Sequence, residues 1–247
     1  MDAYQPAIEA VLLAAQTILE CGGEIYRAEE TVVRMGQGLG FVKTEVMALP
    51  TGYFITFQLP SGDNRSYTRR IHERNLYLSD MNEVNTVSRL VARGELDGAE
   101  ALRRLLAIRQ KPRLSPALTT LLFALCCGCF TVMFAGSASD FGISFFCGLC
   151  VRLLTPLFVR LRCPAPLISM FSGLVTAGVA VLLLSVLGGD RQAVITGAMM
   201  PLLPGLTFTN AVRDTMRGDL VSGLARGAEA LLNVLLLGYG VVFILSL

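Results

Sequence analysis

Charge is scarce in this sequence. Only 16% of the 247 residues are charged while 53% are hydrophobic, a balance that excludes an ordinary soluble globular domain. Histidine occurs once, as His72, with no Ser or Cys nucleophile at a spacing that would pair with it, so a satisfied structural histidine fits better than a general base. The net charge is only +2, and basic and acidic residues interleave, which excludes the one-signed surface of a nucleic-acid binder. No Lys or Arg precedes the apolar stretch 10–19, whereas Asp2 and Glu9 do. That stretch therefore lacks the basic start of a signal peptide and belongs to the mature fold. Cysteine is present seven times, but Cys126, Cys127, Cys129, Cys147 and Cys150 fall inside apolar runs, which argues against a disulfide framework. Cys147 and Cys150 spell C-x-x-C with no His or carboxylate nearby to complete a site, so small-residue helix packing stands ahead of redox or metal chemistry. No metal and no cofactor is expected, and no nucleophile-base spacing marks an enzyme.

The charges are unevenly placed. Of the 40 charged residues, 28 lie in 1–113, fourteen of each sign, and a boundary follows near Pro112 where long apolar runs begin. The expected fold is an α-helical integral membrane protein. Residues 1–113 form a small cytoplasmic α/β domain, and residues 114–247 form about five transmembrane helices. In the first part Ile8, Val11, Leu12, Ala15, Ile18 and Leu19 recur at helical steps and stop at Gly22-Gly23. A second helix carries Ile25, Ala28, Val32, Met35 and Leu39 on its apolar stripe. Tyr53, Ile55, Phe57 and Leu59 then alternate with polar neighbours, and a turn at 60–64 leads to a second strand over 65–71, predicting a hairpin. Two closing helices open with capping-box spacings, Asp80 with Glu83 and Asp97 with Glu100.

Five segments are long enough to cross about 30 Å of hydrocarbon: 114–135, 141–161, 165–187, 193–209 and 224–247. Basic residues gather before the first (Arg103, Arg104, Arg109, Lys111, Arg113), after the second (Arg160, Arg162) and after the fourth (Arg213, Arg217). The opposite loops hold only Arg191. The positive-inside rule then places the amino terminus in the cytoplasm and the carboxyl terminus outside an inner membrane. Arg152, near the middle of the second span, either faces a carboxylate or water, or snorkels to the surface. The fourth segment contains Pro201, Pro204 and Gly205, which predicts a kinked or interrupted helix. Broken helices build substrate sites in many transporters, while a proline kink used only for packing is the plainer reading.

Beyond the break Asn210, Arg213, Asp214, Asp219, Ser222, Arg226 and Glu229 form a polar run. Asn210 and Asp214 are four apart, and Ser222, Arg226 and Glu229 stand at i, i+4 and i+7, so each set shares a helix face. Arginine forks suit a carboxylate, Asn and Ser offer neutral hydrogen bonds, and a carboxylate can carry a proton. The run reads equally as a solute site or as an interfacial loop, since 230–247 alone nearly spans a bilayer.

The stretch from Pro204-Gly205-Leu206-Thr207-Phe208-Thr209-Asn210 through Arg213-Asp214 and Gly218-Asp219 to Arg226 and Glu229-Ala230 resembles the signature of the threonine/serine exporter family. Gly23 followed by Tyr26-Arg27-Ala28-Glu29-Glu30-Thr31 is similar to that family's early glycine and Arg-x-Glu. The resemblance implies proton-coupled export of a small amino acid or a dicarboxylate, with Arg27 and Glu29 as further site candidates. Two residues apart on a helix, Arg27 and Glu29 point different ways, so each is expected to contact another part of the protein. Single-chain members carry further helices. Ending at Leu247, this chain is similar to the larger subunit of two-component succinate exporters, which implies a small hydrophobic partner subunit of four or five helices, with homo-oligomerisation as another way to close the site. The competing classes are a membrane-anchored regulatory or scaffold protein and a membrane-anchored enzyme.

Overall fold

The computed structural model describes residues 4–72, 74 and 77–247. The chain divides into two compact units, Met1–Pro112 with Leu206–Gly227, and Arg113–Gly205 with Ala228–Leu247. A segment of the expected membrane region thus packs with the amino-terminal part.

The first unit begins with α1 (Gln5–Glu20) and α2 (Ile25–Gly38), followed by β1 (Lys43–Leu49), β2 (Gly52–Gln58) and β3 (Asn64–Arg70), then α3 (Leu78–Ala92) and α4 (Gly98–Arg109). The apolar stripe of α1 is buried as its periodicity predicts, with Ile8, Val11, Ala15, Ile18 and Leu19 all in the core. Each of the larger aliphatic side chains among them contributes about 1.5–3 kcal/mol on burial. The expected hairpin is β2 with β3, but the sheet has a third strand, in the antiparallel order β1-β2-β3. Tyr53, Ile55 and Phe57 of the central strand point into the core, and the Tyr53 hydroxyl donates to the Leu12 carbonyl of α1 at 2.8 Å. Asp97 caps α4 as expected, its carboxylate accepting from the Glu100 amide at 2.8 Å. Asp80 does not cap α3. Tyr77 occupies that position, and Asp80 lies inside the first turn.

The second unit contains α5 (Pro116–Met133), α6 (Ala138–Arg160), α7 (Ala165–Leu187), α8 (Arg191–Met199), a 3-10 turn (Met200–Leu202) and most of the final helix. Two further helices, α9 (Gly205–Met216) and α10 (Leu220–Leu245), complete the chain. Among the described residues four helices, α5, α6, α7 and α10, are long and apolar enough to cross a membrane. The chain is a membrane protein by this criterion, and the expected fourth span over 193–209 is not one helix. It is divided among α8, the 3-10 turn and α9, because Pro201 has no amide for the Gly197 carbonyl and Pro204 cannot continue the turn. Side chains from α5 and α6 reach the last two turns of α8. Ser144 Oγ donates to the Val194 carbonyl at 3.2 Å and Cys127 Sγ to the Ala198 carbonyl at 3.6 Å. Ser144 also accepts from Thr131 Oγ1 at 2.6 Å. Any side chain at Gly197 would overlap Thr131, so α8 lies against the α5 backbone. Such small-residue contacts carry helix association where lipid removes the hydrophobic drive. Cys127 and Cys147 are packing residues here, buried with free thiols.

Candidate functional site

The site forms where α1 turns into α2. Gly22 sits at φ +71°, a conformation other residues resist, and a Cβ on Gly23 would come within 2.7 Å of Ile18 Cγ2 and 2.9 Å of the Ile18 carbonyl. The chain can therefore reverse tightly, leaving the Gly22 and Gly23 carbonyls and the first amides of α2 without intrahelical partners. Glu24, at the start of α2, makes no side-chain cap.

Those groups are satisfied by α9 and the start of α10. A helical hairpin forms because Gly218 takes φ +93° between the two helices and because Gly223 lets α10 close onto Thr215. Its inner face meets the turn. Asn210 Nδ2 donates to the Gly22 carbonyl at 2.8 Å, and Arg226 Nη2 donates to the Gly23 carbonyl at 2.7 Å. The Ile25 amide donates to Asp214 Oδ1 at 3.1 Å, so a carboxylate from α9 stands in for the missing cap of α2. Asp214 Oδ2 lies 3.2 Å from Arg226 Nη1, an ion pair with side chains 0% and 4% exposed. Arg213 Nη1 donates to Glu24 Oε1 at 2.7 Å, Arg27 Nε lies 3.1 Å from Glu24 Oε2, and the Arg217 guanidinium stacks 4.4 Å above the Tyr26 ring. Cation–π stacking of this kind adds about 0.5–1 kcal/mol at an exposed site.

The electrostatics differ among the three carboxyl groups. Burial works to raise Glu24, but its own amide, Arg213 and Arg27 outweigh burial and hold it below the ordinary carboxylate range. Burial pushes Asp214 above its ordinary range. Asp219 and Glu24 add to that rise, while Arg226 and the Ile25 amide oppose it. Glu29 is likewise raised by burial, with Asp219 and Asp214 contributing, against the Ala48 amide that donates to its Oε1 at 2.8 Å.

Of the residues singled out in sequence, Asn210, Arg213, Asp214 and Arg226 meet at one turn. Arg27 joins them through Glu24, and Glu29 bonds β1 instead. Asp219 lies in the hairpin turn, its amide donating to the Asp214 carbonyl at 3.0 Å, and Ser222 is buried in the first turn of α10. Glu229 belongs to the second unit. Arg152 is exposed on α6 and pairs with no carboxylate among the described residues. Pro201, Pro204 and Gly205 mark the interruption ahead of α9. Sequence reasoning missed Glu24, Arg217 and the Gly22 and Gly23 carbonyls. The available signal was an acid directly after Gly-Gly at a helix start. No group of three or more His, Cys, Asp or Glu placed to hold a metal occurs among the described residues.

Thus the two stretches that carry the resemblance, 23–31 and 204–230, contact each other across nearly two hundred residues of sequence. The model of the family described as "Putative threonine/serine exporter" matches residues 9–247. The chain belongs to the threonine/serine exporter family. Family relatives include proteins named "Probable succinate transporter subunit YjjP" from Escherichia coli strain K12 and from Klebsiella aerogenes. Each is 25% identical over 233 residues, covering 93% of this chain and 90% and 89% of the relatives. No solved structure matches the chain.

Proposed function

We propose that this chain is the larger subunit of a secondary exporter that moves small amino acids such as threonine and serine, or dicarboxylates such as succinate, out of the cell, coupled to the proton gradient. The observation that carries this reading is the meeting of both motif stretches at one buried, charged turn in a chain matched by the family model over 9–247. The name of the relatives, a transporter subunit, supports a second polypeptide. So does the apolar surface of the second unit, where Leu153, Leu182, Val186, Leu235 and Val242 are all more than half exposed. A small hydrophobic subunit and lipid would cover it.

Chain connectivity supports five crossings with a broken fourth. Residues 206–227 pack with the amino-terminal part, which supports a reading with both on one side of the membrane. Three long helices, α5 to α7, leave the chain on the other side, and it must return between Leu187 and Gly205. At 3.3 Å per extended residue, 1.5 Å in α8 and 2.0 Å in the 3-10 turn, that stretch reaches about 36 Å, enough for a core of about 30 Å. The basic flanks support a reading with that first side in the cytoplasm and the carboxyl terminus outside. The 26 residues of α10 extend about 39 Å, longer than the hydrocarbon core by about 9 Å, which supports an aqueous position for about its first six residues and a boundary position for Arg226.

The test is export by variants that still insert. Arg213→Ala, Asp214→Asn and Glu229→Gln each abolish efflux at unchanged membrane abundance under this reading. Normal efflux in all three would reduce the run to an interfacial loop.

A further inference from the structure

The α9 face turned to the Gly22–Ile25 corner carries two buried oxygen acceptors that receive no hydrogen bond from any described group, Asn210 Oδ1 and Asp214 Oδ2. Their residues are 3% and 0% exposed. Neighbouring donors are directed elsewhere. Asn210 Nδ2 is given to the Gly22 carbonyl, which also fixes the orientation of the amide, the Ile25 amide goes to Asp214 Oδ1, and Arg226 Nη2 goes to the Gly23 carbonyl. Arg226 Nη1 neutralises Asp214 as an ionic neighbour at 3.2 Å without hydrogen-bond geometry. Buried acceptors left without a donor are uncommon in proteins, and two of them four residues apart on one helix face mark a place for a group that donates.

We propose that Asn210 Oδ1 and Asp214 Oδ2 form one acceptor site for which a proton on Asp214 and the ammonium group of a small zwitterionic solute compete. The inference rests on the exporter reading and specifies its coupling step. An α-amino acid inserted between Asp214 and Arg226 places its ammonium on the two acceptors and its carboxylate on the guanidinium, so that the loaded site holds two ion pairs. A dicarboxylate brings no donor for the acceptors. It would also add negative charge beside the groups that face Asp214 from every side: Glu24 at the α1–α2 turn, Glu29 on α2 and Asp219 at the hairpin turn, against Arg226 on α10 and Arg213 and Arg27 held by Glu24. When the solute enters, the Asp214 O–H bond breaks, its proton leaves to solvent and the ammonium takes its place, so the charge at that carboxyl is balanced at each stage. Proton and solute then exclude one another, which is the requirement for exchange in opposite directions.

The experiment titrates the purified full-length chain, together with its partner subunit, with L-threonine and with succinate by calorimetry from about pH 5 to about pH 8, in two buffers of different ionisation heat. Threonine affinity rises by up to tenfold per pH unit while Asp214 is protonated, with up to one proton released per solute. Asp214→Asn binds threonine at least tenfold more weakly, with no pH dependence. Asn210→Asp shifts the pH profile upward, since two adjacent carboxylates hold a shared proton more tightly. Thermal melting checks that each variant folds, and if Asp214→Asn does not, the wild-type proton release and the Asn210→Asp profile decide. Threonine binding without proton release overturns the inference, as does wild-type pH dependence in Asp214→Asn. Succinate binding that excludes threonine overturns the ammonium site but leaves the exporter reading standing. Neither solute bound, with no efflux from cells, overturns both.

Discussion

Removing Arg226 while keeping Asp214 leaves a carboxylate that is 0% exposed with its ionic partner gone. Breaking one side of such a buried pair costs about 3–5 kcal/mol, because the remaining charge has lost its compensation, whereas replacing both sides by neutral groups of similar size is close to neutral. Arg226→Met is therefore expected to lose about 3–5 kcal/mol near neutral pH, and Asp214→Asn with Arg226→Met to recover most of it. The pH dependence follows from the same geometry. The Asp214 carboxyl already stands above its ordinary range through burial, opposed by Arg226, so the variant raises it further. Between the unfolded value and that raised value the native state holds more protons than the unfolded state, so stability is greatest in acid and falls as pH rises, by at most about 1.4 kcal/mol per unit. Denaturant or thermal unfolding of the detergent-solubilised chain between about pH 4 and about pH 8 measures both effects. Single losses that simply add in the double variant, or a loss independent of pH, would refute the buried pair as described.

Glu24→Gln keeps one acceptor for Arg213 or Arg27 but removes the charge. Both partners are partly exposed, so the stability loss is held to about 1 kcal/mol, while efflux falls more than abundance; equal losses of the two would contradict a role in holding Arg213. Gly197→Ala forces a methyl group into Thr131 of α5 and costs about 1–3 kcal/mol, read as a lowered melting temperature and lowered abundance; an unchanged melting temperature would contradict the α8 packing. Reporter fusions place the amino and carboxyl termini on opposite sides of the membrane, and finding both on one side would remove the crossing between Leu187 and Gly205. Arg152→Gln leaves melting within about 0.5 kcal/mol of the parent, because the side chain is exposed and holds no carboxylate among the described residues; a larger loss would point to a partner.

Periodicity made α1, α2 and β2 legible, since each buries one face, and hydropathy made α5, α6 and α7 legible to within a few residues. Strand β1 was not legible. In Lys43–Leu49 only Ala48 is fully buried while Met47 is exposed, so alternation is too weak to read. The prolines located the interruption of the fourth segment, but not the departure of α9 to join the amino-terminal part, because no local pattern encodes a partner 189 positions away. For the same reason the polar run was balanced between site and loop, although its i, i+4 spacing correctly put Asn210 and Asp214 on one face. Glu24 escaped because its burial depends on Arg213, 189 positions away, and Arg152 stayed open between pairing and snorkelling because a mid-span charge can be met either way.

Efflux is the most direct test of the exporter reading. Cells lacking any relative are preloaded with threonine, serine and succinate, and release is followed with this chain alone, with a candidate small hydrophobic membrane subunit alone, and with both together. Release of at least one solute only when both are present, abolished by a protonophore, is the expected result. Equal retention in all three strains, or full release by this chain without a second polypeptide, would contradict it.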